Sequence, residues 1–299
     1  MATFLWTGHK TRAATTDAIL RTQLLSWHNA MLACGLVQAG DTGQINFSTV
    51  TRPVAGGQPI GNLVYRFNDA LQSTAPVFLL VKVYTFVDAS SWGFIFNAAP
   101  ATDGACGPSA SGPPAYCYGM GDASGAENTT IRISGDGSRI CLIAQPIEYY
   151  QHLGFVYCLE RSKDNNGVDT NEGLQQFHQQ RDDGGGVYKE TPRAAFIQFT
   201  PFTASNNAMN GCQMPLGSTG SLPQNKVAVY PFRAFLGGEK APPLGILGYF
   251  KADLYNRTPV GIACYDGQLH TYIPLGGNYD HSASDGTTPG ANAILMRWE

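Results

Sequence analysis

Beyond residue 52 the chain is cut at short intervals by Gly, Pro, Asn and Asp into β-branched and aromatic runs, and this punctuation constrains its fold more than any other feature. Ten such runs are legible, at 63–68, 77–87, 130–134, 139–144, 154–160, 195–199, 227–235, 261–265, 269–273 and 294–298. Each has the length and composition of a strand. Two pairs flank Asp-Gly turns, Gly135-Asp136-Gly137-Ser138 and Asp266-Gly267-Gln268. Asp-Gly tolerates the positive φ that tight hairpins need, so both pairs predict antiparallel pairing. Strands do not alternate with helical segments of 10–15 residues, which disfavours a parallel α/β sheet. One long helix is predicted, over Ala18–Ala33, where Leu20, Leu24, Trp27 and Met31 share a face. Thr15, Thr16 and Asp17 serve as its start signals and Gly35 as its stop. Thr3–Thr7 reads as a short strand before it and Asp41–Gln44 as a turn after it. The expected fold is mainly β: an antiparallel, jelly-roll-like β-sandwich with one N-terminal amphipathic helix and long loops. Residues 1–52 form a strand-and-helix arm and 53–299 a β-rich body, with a subdivision near 203–225 as an option.

Composition then narrows the function. Charged residues make up 14% of the 299 and the net charge is −3. A basic nucleic-acid binder, a charged disordered tail and a heptad coiled coil all require more charge than that. The longest apolar stretch, Pro76–Val87, is interrupted by Lys82 and falls short of a membrane span. The opening residues lack an apolar segment followed by a small-residue cleavage site, so folding in a cytoplasm is expected. The seven cysteines include no C-x-x-C pair, which argues against a zinc site and favours reduced, buried thiols. Cys106 and Cys117, flanking a Gly/Pro-rich loop, are the one pair worth testing for a bridge.

Chemistry-bearing motifs are sparse. No P-loop, dinucleotide fingerprint, G-x-S-x-G elbow or H-E-x-x-H pair is present. Tyr279-Asp280-His281 with Asp285 is the densest titratable cluster near the C-terminus, in a loop context that reads as surface. The stretch 164–172 offers oxygen ligands of the kind calcium prefers but misses EF-hand spacing. Paired carboxylates for glycoside hydrolysis are not identifiable from sequence. The expectation is therefore no catalytic residue, no cofactor and no metal. Tyr116, Tyr118, Tyr149, Tyr150 and Tyr279 fall at loops or strand ends and are the candidates for exposed rings that touch a partner or a glycan. Segments 98–125, 163–186 and 203–225 read as long loops, and the latter two are the expected contact elements.

Three segments carry a resemblance. Met1-Ala2-Thr3-Phe4-Leu5-Trp6-Thr7-Gly8, then Cys34-Gly35-Leu36-Val37 with Asp41-Thr42-Gly43-Gln44-Ile45, then Tyr65-Arg66-Phe67-Asn68-Asp69 running to Leu79, resemble the N-terminal half of virion structural proteins from the tail modules of tailed bacteriophages. The ending Ile294-Leu295-Met296-Arg297-Trp298-Glu299 is similar to the ends of several such chains. The likeness covers about the first 85 residues and the last few, and its motifs are packing elements. It implies a non-enzymatic structural component at the tail tip or baseplate, assembled in the bacterial host cytoplasm. Its partners would be copies of itself and other virion proteins, without nucleic acid or membrane insertion. A host-receptor or glycan-binding adhesin on the particle, a capsid decoration protein and a glycan hydrolase are the alternatives.

Overall fold

The computed structural model describes residues 2–9, 16–85, 92–110, 115–117, 128–145, 155–164, 168–181, 190–199, 202–208, 230–236, 239–250, 260–263, 269–274 and 293–297. The elements in chain order are β1 (Ala2–His9), α1 (Asp17–Ala33), β2 (Val37–Gln38), β3 (Pro59–Arg66), β4 (Phe78–Thr85), β5 (Trp92–Ala99), β6 (Ala101–Thr102), β7 (Pro108–Ala110), β8 (Ala115–Cys117), β9 (Asn128–Gly135), β10 (Arg139–Gln145), β11 (Phe155–Lys163), β12 (Asp169–Arg181), β13 (Glu190–Phe199) and β14 (Phe202–Ala208). They are followed by β15 (Tyr230–Leu236), β16 (Glu239–Phe250), β17 (Val260–Ala263), β18 (Leu269–Pro274) and β19 (Ala293–Arg297). The chain divides into two compact units, Ala2–Ala208 and Met209–Glu299, and the division falls inside the 203–225 segment.

Beside a small β6-β7 pair, the described residues of the first unit form two larger antiparallel sheets, one of seven strands in the order β1-β9-β10-β11-β12-β13-β14 and one of five in the order β2-β3-β4-β5-β8. Their inner faces share one apolar core, so the unit is a sandwich with α1 packed into the same core. Trp6, Ile131, Ile133, Ile140, Leu142, Tyr157 and Leu159 come from the larger sheet. Leu63, Tyr65, Leu79, Val81, Val83, Phe94 and Phe96 come from the smaller. Neighbouring strands are consecutive in sequence except at β1–β9 and β5–β8. The connections are thus meanders, and the likeness to a jelly roll stops at the two-sheet packing. The second unit is an antiparallel sheet in the order β15-β16-β19-β18-β17, with the C-terminal strand in its middle.

Parity explains why these segments are strands. On β10, Ile140 and Leu142 face the core and on β11 Tyr157 and Leu159 do, all fully buried. The β4 run looks unbroken because both faces are covered: Leu79, Val81 and Val83 join the main core, while Leu80 meets Val64, Ala99 and Cys106 in a second small cluster. Lys82 is the outward exception. Helix α1 begins at Thr16, whose side chain accepts the Ile19 amide at 3.3 Å. It buries Leu20, Leu24, Trp27 and Met31 completely. Residues 1–52, expected as an arm, in fact supply part of the core. Trp6 donates its indole N–H to the Gln23 carbonyl at 3.0 Å, Trp27 stacks on Phe94 at 4.2 Å between centroids, and Phe96 stacks on Tyr157 at 4.8 Å.

Two readings of the sequence need correction. Segment 163–186 is not a long loop, because Asp169–Arg181 is strand β12, hydrogen-bonded on both sides to β11 and β13. Its glutamines hid it: Gln175 and Gln176 lie on opposite faces and both are buried, so no apolar alternation marks the strand. Segments 98–125 and 203–225 likewise contain strands, β6, β7 and β8 in the first and most of β14 in the second. The cysteine expectation also changes. Cys141 and Cys158 form a disulfide across β10 and β11, whereas Cys106 is a free, buried thiol and so is not bridged to Cys117.

Candidate functional site

Exposed apolar side chains on a chain with this little charge are the first features to place. Among the described residues, strand β1 is an outer strand of the seven-stranded sheet, paired only with β9, in an unbroken register from Ala2↔Gly135 to His9↔Asn128. Its sequence, Ala-Thr-Phe-Leu-Trp-Thr-Gly-His, has no Lys, Arg, Asp, Glu or Pro, and the pairing contains no bulge. Natural edge strands are usually guarded by one of those devices. Alternation sends Trp6 into the core at 2% exposure, leaves Phe4 at the margin of the same face at 39%, and turns Leu5 outward at 57%. Leu5 stands opposite Arg132 and Phe4 opposite Ile133. On α1, Leu25 and Leu32 are seven residues apart and also exposed, on the helix side away from the core residues Leu24, Trp27 and Met31. The edge of β1, with no Lys, Arg, Asp or Glu of its own although Arg132 of β9 stands beside Leu5, is therefore of the kind that takes up another strand.

Several titratable groups have structural partners. The acidic stretch 164–172 closes the β11–β12 connection: the Asp164 carboxylate accepts the Val168 amide at 2.9 Å, Asp169 pairs with Lys163, and Thr170 bonds Ser162 at 2.6 Å. Asp103 accepts the amides of Ala105 and Gly107, both at 2.8 Å, and these bonds hold its carboxyl below the usual range. Asp41 accepts the Cys106 amide at 3.1 Å. Among the described residues, no three His, Cys, Asp or Glu side chains gather as metal ligands would, and no helix is long and apolar enough to cross a membrane.

His28 is buried on α1, with Nδ1 3.2 Å from the Tyr65 hydroxyl and its ring beside Phe47. Burial lowers its pKa from the ordinary value of 6.5. The folded state thus resists a proton that the unfolded chain accepts, so stability is complete above about pH 6.5 and declines as the pH falls below it. The melting temperature of the wild-type chain is expected to drop between about pH 6.5 and 5, and His28→Gln to flatten that part of the profile. An unchanged slope in the variant would remove His28 as the cause.

The proposed ring contacts are only partly placed. Tyr116 lies on β8, in register with Ile95 of β5. Tyr118, Tyr149, Tyr150 and Tyr279 fall outside the described residues, as do Asp280, His281 and Asp285. Sequence reading found β1 as a short strand but missed its edge position, which depends on pairing with a segment more than a hundred residues away. It also missed the Cys141–Cys158 pair: counting outward from Ala144 and Gly154, the facing ends of the two predicted strands, sets Cys141 opposite Tyr157, one residue out of the observed register. The chain matches no protein-family model and no curated protein.

Proposed function

We propose that this chain is a non-enzymatic structural subunit that acts through protein–protein contacts, and, on the likeness of its N-terminal segment, that it belongs to the tail tip or baseplate of a tailed-phage virion. The observation that carries this reading is the unguarded β1 edge with Phe4 and Leu5 exposed, on a chain whose charged content is 14%. Permanent interfaces are depleted in charge at their centres and enriched in apolar and aromatic side chains. Strand addition supplies main-chain hydrogen bonds at the same edge.

Leu5→Lys places an ammonium on the outward face, where an exposed substitution changes folding stability by no more than about 0.5 kcal/mol. Association of the purified chain, followed by sedimentation, is expected to weaken about tenfold or more. Incorporation into purified particles, read by quantitative mass spectrometry, should fall with it. Particles that never contain the wild-type chain would overturn the virion assignment. Unchanged association of the Leu5→Lys chain would overturn the role of β1.

A further inference from the structure

The disulfide lies in the middle of the larger sheet, and the way the sheet places it bears on when it forms. Strands β10 and β11 pair from Arg139↔Glu160 to Ala144↔Phe155, with Cys141 directly opposite Cys158 and their Cα atoms 4.2 Å apart. The residues that set this register are Ile140 and Leu142 on one strand and Tyr157 and Leu159 on the other, which alternate with the cysteines and fill the core. A slip by one residue would turn an entire strand's apolar set away from the core. The fold therefore brings the two sulfurs together by packing alone, without help from the bond. Both cysteines are fully buried on the opposite face, where a reduced thiol is accommodated as a small apolar side chain.

We propose that Cys141 and Cys158 form a redox latch: the chain folds with both thiols reduced, and the bond closes afterwards, on exposure to an oxidising medium, locking β10 to β11 at the centre of the seven-stranded sheet. The oxidant is a small disulfide such as oxidised glutathione. One cysteine thiolate attacks it, forming a mixed disulfide and expelling one glutathione thiolate. The other cysteine thiolate then attacks the protein sulfur of that mixed disulfide and expels the second. The chain loses two hydrogens and the oxidant becomes two molecules of reduced glutathione. Because both cysteines are buried, exchange proceeds through local opening, and the closed bond is shielded from reductant in the same way.

The other described thiols do not compete. Cys34 approaches the Ala2 carbonyl at 3.7 Å, and burial pushes its thiol up to about 12. Cys106 donates to the Thr42 carbonyl at 3.1 Å. Low thiolate content makes both poor nucleophiles.

The test uses the full chain prepared under reductant, then treated with oxidised glutathione. Far-UV circular dichroism should show the reduced chain folded. Alkylation and peptide mapping after oxidation should link Cys141 to Cys158, and the melting temperature should rise by about 6–12 °C. The Cys141→Ala/Cys158→Ala double variant should show no such rise. A reduced chain that is unfolded would overturn the inference, because the bond would then be a requirement for folding. So would a linkage elsewhere, Cys141 and Cys158 both still alkylated after oxidation, or an equal rise in the double variant. The wild-type measurements decide the matter even if the variant fails to fold.

Discussion

Arg161→Ala is expected to destabilise the chain by about 3–5 kcal/mol, read from the midpoint of chemical denaturation, because it leaves a carboxylate and a carbonyl in the protein without their cation. Arg161 sits on β11 with no solvent exposure. Its Nε and Nη2 donate to the two oxygens of Asp69 at 2.6 and 2.9 Å, and Nη1 donates to the Ala75 carbonyl at 2.8 Å. The guanidinium also lies over the Phe67 ring, 5.7 Å from its centroid. One side chain thus holds both ends of the 68–76 connection between β3 and β4 to the opposite sheet. Neither Lys nor Met can replace it: lysine lacks the planar fork, and methionine keeps the packing over Phe67 but not the charge. In a double-mutant cycle with Asp69→Ala, the pair should lose clearly less than the sum of the singles, since each single change leaves the other charge alone. Additive losses, or an Arg161→Ala chain within about 0.5 kcal/mol of wild type, would show that solvent replaces the contact.

This clasp marks where sequence reading stops. The helix, its Thr16 cap, all ten predicted strands and both Asp-Gly hairpins are present in the structure, because each is written in local periodicity and turn chemistry. Strand β5 was not legible, although it supplies Trp92, Phe94 and Phe96 to the core. Both of its faces are largely buried, so the period of two that marks a half-exposed strand is absent. Strand β12 was hidden by its glutamines. Arg161 and Asp69 are 92 residues apart, and the strand pattern in the sequence ends at Glu160, one residue short of the arginine. The same limit applies to the contact surface. The composition of β1 was visible, but its place at the end of a sheet follows from long-range pairing, and the exposure of Leu5 rather than Trp6 follows from which face that pairing turns inward.

Gly35→Ala is expected to cost about 2–4 kcal/mol, combining left-handed backbone strain with a steric clash. Gly35 follows the C-cap residue of α1 with φ +88°, and a β-carbon there would lie 2.7 Å from the backbone nitrogen of Gly137. That nitrogen is committed, since it donates to the Cys34 carbonyl at 3.0 Å, while the Gly137 carbonyl accepts the Asn68 amide at 2.8 Å. The end of α1, the β9–β10 turn and the start of the 68–76 connection therefore meet backbone to backbone, and only a residue without a side chain allows that approach. Gly43 separates the two contributions. Its φ is +78° but nothing lies within 4 Å of the position a β-carbon would take, so Gly43→Ala should show the conformational part alone, about 1–2 kcal/mol. The excess of Gly35→Ala over Gly43→Ala in urea denaturation measures the junction itself. Equal losses at the two positions would mean that the turn shifts away from the helix without penalty, and the close packing of these three segments would then contribute nothing to holding the β9–β10 hairpin register, which sets Cys141 opposite Ser134.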